Sequence, residues 1–121
     1  MGRTVLVVDD AGVMRQMNSL TLKKEGFEVI EAINGKDALS KMAGKKIDIV
    51  VTDINMPEMD GIELIKQIRT DSVHRFVPII VLSTISQEAK VKEGKEAGAS
   101  GWLFKPYKPN QLIDAIRKFI M

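Results

Sequence analysis

The sequence contains no cysteine and only one histidine, His74. Without cysteine, neither a disulfide framework nor a zinc site with thiolate ligands is possible. A single histidine excludes a metal site with several histidines, and it excludes a serine–histidine triad built on any other position. Any chemistry in this chain must therefore depend mainly on carboxylates, hydroxyls and amines.

Long hydrophobic runs and a strong net charge are also absent. No apolar run approaches the ~20 residues of a membrane-spanning helix. The chain enters a strand pattern after three residues, so we predict no signal peptide. The net charge of +2 is too weak to indicate nucleic-acid binding. We therefore expect a cytoplasmic protein that binds neither nucleic acid nor membrane.

The length of 121 residues and a hydrophobic content of 45% fit one soluble domain with a real core. No repeat, linker or low-complexity segment divides the chain. We therefore predict a single domain over residues 1–121.

The hydrophobic pattern alternates five times between strand and helix. Strands are predicted over 4–8, 27–31, 47–52, 79–83 and 100–104. Helices are predicted over 12–25, 35–43, 61–70, 87–97 and 109–120. Alternating units with short loops imply a parallel sheet with right-handed crossovers and helices on both faces. Five strands favour the flavodoxin-like (βα)5 doubly wound fold with strand order 2-1-3-4-5.

Capping residues support these boundaries. Asp60 precedes a helix, and Glu63 three residues later completes a pattern like a capping box. Asn34 is followed by apolar residues at helical spacing, which favours a helix N-cap over a hairpin turn. The glycines at 26, 44 and 98 each follow a helical stretch, where a left-handed residue is favoured.

Four of the hydrophobic runs end in residues that phosphoryl transfer requires. TVLVV (4–8) leads into Asp9 and Asp10, and IDIVVT (47–52) leads into Asp53. PIIVL (78–82) leads into Ser83 and Thr84, and GWLF (101–104) leads into Lys105. In the predicted order these strands are neighbours, and the carboxyl edge of a parallel sheet is where ligands bind. We therefore expect these side chains to share one site.

Three carboxylates at one edge repel one another unless a cation neutralises them. Oxygen ligands select a hard ion, and Mg²⁺ needs only one or two carboxylates besides water and phosphate. We predict Asp10 and Asp53 as direct ligands together with the backbone carbonyl of Asn55, and Asp9 acting mostly through water. The alternative is that Asp9 or Asp10 merely caps the following helix. That alternative suits either residue alone, but not the trio together with Lys105.

Asp53 lies between the other strand ends and is the best candidate for a nucleophile that forms an aspartyl-phosphate. Lys105 offers a compact positive charge for the phosphoryl oxygens. Ser83 or Thr84 could donate a hydrogen bond to them, and Ser83 is preferred because it directly ends the apolar run.

The segments VLVVDD (5–10), DINMPEMDG (53–61), PIIVLST (78–84) and AGASGWLFKPY (97–107) together resemble the receiver domains of two-component response regulators, most closely the chemotaxis members. The resemblance implies that Asp53 is the phosphoacceptor and that Asp9 and Asp10 form the acidic pair for Mg²⁺. It also implies roles for Ser83 as the switch hydroxyl, for Lys105 as the paired lysine and for Trp102 as the switch aromatic. The peptide bond before Pro106 is usually cis in such proteins.

The resemblance further implies a signalling switch with no output domain, not an enzyme beyond its own phosphorylation and dephosphorylation. Its partners would be a histidine kinase as phosphodonor, a target such as the flagellar motor switch, and possibly a phosphatase. The target would bind a face made by residues 87–120, and the protein would be a monomer. In this mechanism Ser83 moves toward the phosphoryl group and Trp102 swings inward.

Three other functions compete with this one. A phosphorelay intermediate would pass its phosphoryl group to a histidine phosphotransferase. A haloacid-dehalogenase-like phosphatase would need an Asp two residues after its nucleophile, where this chain has Asn55. A flavin carrier would need a phosphate loop after the first strand, where Asp9 and Asp10 would repel phosphate.

Some residues are predicted to be structural. We expect His74 to be an exposed loop residue, and Met14, Met17 and Met42 to fill the core. Gly94 lies inside a predicted helix at a cost of roughly 1 kcal/mol relative to alanine. This glycine indicates either that the helix is a movable element or simply that the fold tolerates the cost.

Overall fold

The computed structural model describes residues 2–120 and every side chain in that range except that of Ile85. Five parallel strands form one sheet in the order β2-β1-β3-β4-β5. The strands are β1 (Thr4–Val8), β2 (Glu28–Ala32), β3 (Ile49–Asp53), β4 (Ile79–Thr84) and β5 (Gly101–Lys105). The predicted flavodoxin-like fold and strand order are confirmed.

A helix follows each strand. The helices are α1 (Gly12–Lys24), α2 (Gly35–Met42), α3 (Gly61–Thr70), α4 (Ala89–Ala97) and α5 (Pro109–Ile120). The fourth helix begins two residues later than predicted because Ile85–Gln87 forms a 3-10 turn. The third strand begins at Ile49 instead of residue 47, and just before it the side chain of Asp48 accepts the Thr4 N–H at 2.7 Å at the start of β1.

Alternation along the strands divides the core into two layers. Residues such as Leu6, Val50 and Val81 pack against α2 and α3 on one face. Val7, Val51 and their neighbours pack against α1 and α5 on the other. The central strands are buried on both faces, as their nearly continuous apolar runs predict.

The predicted caps are confirmed. The Asn34 side chain accepts the Asp37 N–H at 2.8 Å, and the Asp60 side chain accepts the Glu63 N–H at 2.9 Å. Gly26, Gly44 and Gly98 all have positive φ. Within residues 2–120, no helix is both long and apolar enough to cross a membrane.

Two structural predictions are wrong. His74 is buried, with 5% of its surface exposed, because both ring nitrogens have hydrogen-bond partners inside the protein. Met17 is 58% exposed on the outer face of α1, so it does not fill the core, and Met14 is only partly buried. Met42 is buried as predicted.

Candidate functional site

Asp9, Asp10 and Asp53 meet at the carboxyl edge of the sheet. Each offers one carboxylate oxygen, and these oxygens all lie within 4.8 Å of one another. Asp9 and Asp10 directly follow β1, and Asp53 is the last residue of β3, its neighbour in the sheet. The parallel register of these two strands therefore brings together carboxylates that are more than forty positions apart in the chain.

Asp9 is the most deeply buried member of this trio, since 1% of its surface is exposed against 9% for Asp53, while Asp10 is exposed. Its Oδ1 accepts the Ala11 N–H at 2.9 Å, whereas its Oδ2 is buried without a hydrogen-bond partner among the described residues. Burial raises the pKa of Asp9, and the neighbouring carboxylates of Asp53 and Asp10 raise it further, against the lowering effects of the Ala11 N–H and of Lys105.

The N-cap of α1 is Ala11, without a side-chain cap. The contact of Asp9 therefore shapes the turn before the helix and does not cap it.

These carboxylates fit a hard divalent cation. The donors are all oxygens, their negative charges are close together, and one buried oxygen, Asp9 Oδ2, meets no hydrogen-bond donor within the part of the chain that the structure describes. Mg²⁺ prefers this donor set and would satisfy that oxygen. Asn55, whose backbone carbonyl we predict as a further ligand, is exposed two residues after Asp53.

Asp53 is also held by a cation. Lys105 Nζ lies 3.2 Å from Asp53 Oδ1, and the same oxygen accepts the Ile54 N–H at 3.0 Å. Lys105 ends β5, two strands away from β3, so the side chain crosses the end of β4 to reach the carboxylate. The Lys105–Pro106 bond is cis, as the resemblance implied.

The two candidate hydroxyls at the end of β4 lie in different environments. Ser83 is buried, and its Oγ accepts a hydrogen bond of 2.6 Å from Trp102 Nε1. Thr84 is exposed, and its hydroxyl contacts the Ser86 hydroxyl at 2.6 Å. The indole of Trp102 already packs against the core layer on the α2 and α3 face.

Two glycines that the sequence did not assign to the site allow other groups of the site to approach their backbone closely. A Cβ on Gly94 would overlap Cζ3 of Trp102 and lie 2.7 Å from Cη2, so only glycine lets the indole approach α4. A Cβ on Gly61 would lie 2.5 Å from the Asp53 carbonyl oxygen and 2.9 Å from Ile54 Cα. The available signal was a glycine at an otherwise helical position, which predicts neither partner.

Tyr107 adds a contact that the sequence did not predict. Its hydroxyl donates to Asn18 Oδ1 at 3.1 Å, which connects the loop after Lys105 to α1. Burial raises the pKa of Tyr107, and the nearby charges of Asp9 and Asp53 raise it further. The phenol therefore stays neutral and serves as a donor at physiological pH.

This arrangement of strands and helices is the fold of a two-component receiver domain. The model of the response regulator receiver domain family matches residues 5–117, and the chain belongs to that family. The chain is 44% identical to the chemotaxis protein CheY of Thermotoga maritima over 119 residues, which are 98% of each chain.

Solved structures agree with this assignment. The chemotaxis response regulator CheY4 of Vibrio cholerae superposes with a TM-score of 0.92 at 40% identity, covering 98% of this chain and 99% of that one. The receiver domain of the sensor histidine kinase PA1611 from Pseudomonas aeruginosa superposes with a TM-score of 0.91 at 26% identity, covering 99% of this chain and 98% of that one. That structure holds a magnesium ion coordinated in its active site cleft. Proteins of this CheY-like class are signalling switches.

Proposed function

We propose that Asp53 accepts a phosphoryl group from a histidine kinase in a Mg²⁺-dependent reaction, and that this charge switches the protein to a target-binding state. The observation that carries the proposal is the contact of 3.2 Å between Lys105 Nζ and Asp53 Oδ1 beside the carboxylates of Asp9 and Asp10. A nucleophile, a cation for the developing charge and a set of metal ligands thus occupy one edge of the sheet.

The residues divide the chemistry among them. Both hydrogen bonds to Asp53 described above go to Oδ1, so Oδ2 is the oxygen that attacks phosphorus while the bond to the donor breaks. Lys105 then pairs with a phosphoryl oxygen. Asp10 and Asp53, with the Asn55 carbonyl, would hold Mg²⁺, and Asp9 would act through water. When bound, Mg²⁺ neutralises the charge that accumulates on the transferring group.

The switch begins at Ser83. Its Oγ accepts from Trp102 Nε1, so the hydroxyl proton is available for a phosphoryl oxygen on Asp53. A shift of Ser83 toward that oxygen would pull on the indole. Trp102 is partly buried and packs against the core layer of the α2 and α3 face, so the inward swing predicted from the sequence would be a small adjustment of a ring that already contacts the core.

The responding surface is the face of residues 87–120. A groove between α4 and β5 is lined by Val91, Phe104 and charged residues of α4. Trp102 contacts Gly94 on the same helix, so its movement would reach that groove directly. The chemotaxis names of the relatives support a target in chemotaxis, and a flagellar motor switch protein is the target that we propose for this face. We further propose that residues 1–121 act as one monomeric domain.

Acetyl phosphate provides the first test. With Mg²⁺ it should add one phosphoryl group per chain, detected by intact-protein mass spectrometry, and Asp53→Asn should abolish the addition. Asp114→Asn, the same chemical change at an exposed position of α5, is the matched control and should be labelled normally. Continued labelling of Asp53→Asn, or labelling that persists fully in EDTA, would refute the proposal.

A second test addresses the partner. Beryllofluoride, a phosphoryl mimic, should increase binding to a flagellar motor switch protein, and Val91→Asp in the groove should weaken that binding without preventing phosphorylation. Transfer of the phosphoryl group from Asp53 to a histidine phosphotransferase, without binding to the switch protein, would instead identify a phosphorelay intermediate.

A further inference from the structure

His74 occupies an unusual place in its loop. It lies between α3 and β4 beside two large apolar residues, Val73 and Phe76, which are 77% and 83% exposed. The imidazole is turned inward, with only 5% of the residue exposed. Apolar burial alone would place Phe76 inside and His74 outside. Specific polar contacts must therefore select the histidine for the interior.

Both ring nitrogens face acceptors. Nδ1 lies 2.6 Å from Asp71 Oδ2, and Nε2 lies 2.8 Å from the Lys45 carbonyl oxygen. A neutral imidazole has one N–H donor and one nitrogen lone pair, whereas the imidazolium has two N–H donors. A carbonyl oxygen can only accept, and an ionised carboxylate can only accept. The doubly protonated ring is therefore the form that satisfies both contacts.

We propose that protonated His74 is a pH-sensitive staple that ties the loop before β4 to the loop before β3, so that the fold loosens at this end when the ring loses its proton. Asp71 lies on one loop and Lys45 on the other, 26 positions apart in the chain. The staple lies at the amino ends of β3 and β4, opposite the carboxyl edge that holds Asp53. It therefore acts on stability and not on phosphoryl chemistry.

The surrounding charges favour this role. Besides His74, the ionisable residues on the two connections are Lys45, Lys46 and Asp48 on one side, and Asp71 and Arg75 on the other, with Arg69 at the end of α3. Among these, Asp71 forms the ion pair with the ring, and its hydrogen bond to His74 lowers the pKa of Asp71. Arg69 instead donates to the carbonyls of Arg75, Val77 and Gly98 and braces the same loop.

The direction of the pH effect follows from proton linkage. If the folded state retains a proton that the unfolded state releases, stability falls as pH rises, by at most tenfold in the folding equilibrium constant per pH unit for one proton. An unfolded histidine releases its proton near neutral pH, so the stabilisation from this contact is complete below that range and decreases as pH rises above it. Asp71, with its lowered pKa, contributes in the opposite direction, because its stabilisation is present at neutral pH and disappears only as pH falls into the acid range.

Urea unfolding between pH 6 and 9 provides the test, on protein purified without a histidine tag. The wild-type folding constant should fall several-fold across this range. Asp71→Asn is the discriminating variant, because an amide N–H can donate to Nδ1 while a neutral ring donates from Nε2 to Lys45. Its stability should therefore depend little on pH, although His74 is still present. His74→Asn should likewise show a flat profile.

A direct readout covers the case in which a variant does not fold. His74 is the only histidine, so nitrogen-15 spectra of the imidazole report this ring alone. Wild-type protein should show two N–H nitrogens at pH 6, and the loss of one proton at higher pH should coincide with the loss of stability. A neutral ring at pH 6 in the folded protein, or a wild-type stability profile no steeper than that of Asp71→Asn, would overturn the proposal. Phosphorylation by acetyl phosphate should be equal in Asp71→Asn and wild type.

Discussion

Trp102 Nε1 donates a hydrogen bond of 2.6 Å to Ser83 Oγ. The parallel register pairs Trp102 with Val81, and Ser83 is two residues further along β4, so both side chains point to the same face of the sheet. Ser83 follows Leu82, the β4 residue that pairs with Asp53. This one hydroxyl therefore lies between the acidic site and the surface formed by α4 and β5.

The Trp102–Ser83 contact predicts a fluorescence response. Trp102 is the only tryptophan, so beryllofluoride with Mg²⁺ should change the emission of the indole as Ser83 moves. Ser83→Ala should suppress most of that change and lower the free energy of unfolding by about 1 kcal/mol, the usual net value of one hydrogen bond. Thr84→Ala, which removes the adjacent exposed hydroxyl, should respond like wild type. An unchanged fluorescence response in Ser83→Ala would show that Trp102 does not respond to the acidic site through Ser83.

Gly94→Ala sets two effects against each other. Alanine improves helix propensity by roughly 1 kcal/mol, but its Cβ overlaps the indole of Trp102, and overpacking costs about 1–3 kcal/mol. We expect a net loss of stability and a shift in tryptophan emission, measured by chemical unfolding and by fluorescence.

The control for Gly94→Ala is the same change in a Trp102→Ala background. Without the indole, the substitution should stabilise the protein by helix propensity alone. Destabilisation of equal size in both backgrounds would show that Trp102 is not the reason for glycine at position 94.

Asp9→Asn should raise stability and weaken metal binding. Burial raises the pKa of Asp9. The protonated carboxyl therefore contributes fully to stability below the pKa that Asp9 has in the unfolded chain, and this contribution is lost as pH rises through its pKa in the folded protein. At neutral pH in EDTA the ionised group destabilises the fold. The amide should recover on the order of 1 kcal/mol, measured by urea unfolding, and Mg²⁺ affinity should fall.

Asp10→Asn is the matched control for Asp9→Asn, because Asp10 is exposed. It should show little gain in stability in EDTA while also weakening Mg²⁺ binding. If Asp9→Asn were less stable than wild type in EDTA, that result would contradict the idea that burial and the neighbouring carboxylates make ionised Asp9 destabilising.

Gly61→Ala should displace the backbone that positions Asp53. The added Cβ would lie 2.5 Å from the Asp53 carbonyl oxygen, so the backbone of Asp53 must move. We expect a loss of about 1–3 kcal/mol in stability and slower phosphorylation by acetyl phosphate. Gly12→Ala, where the nearest atom to a new Cβ is Arg15 Nη2 at 3.7 Å, should cause no loss of stability and leave the phosphorylation rate unchanged. Equal phosphorylation rates in Gly61→Ala and wild type would rule out this positioning role.

The location of the acidic site could be predicted from local patterns. Asp9, Asp10, Asp53 and Lys105 each end an apolar run, and a parallel sheet aligns the ends of its strands at one edge. The structure confirms that they lie together. Their roles as metal ligands, nucleophile and countercharge stay predictions until the experiments above are done.

The roles of Gly61, Gly94 and His74 could not be predicted in the same way. Each depends on a neighbour in another structural element: the Asp53 backbone in β3, the Trp102 indole in β5 and the Lys45 carbonyl in the loop before β3. Periodicity describes which face of an element is apolar, but it carries no information about which group lies opposite. His74 was expected to be exposed because a polar residue in a loop usually is, and two specific acceptors reversed that expectation.

The order of strands and helices, the caps and the gathering of charged groups at one edge follow from the sequence, because they depend on short-range hydrogen bonding, hydrophobic alternation and the direction of parallel strands. The direct bond from Trp102 to Ser83, the orphaned oxygen of Asp9 and the buried ring of His74 were decided only by tertiary packing. Close packing brings single atoms from remote segments within hydrogen-bonding distance, and no pattern within one segment encodes those distances.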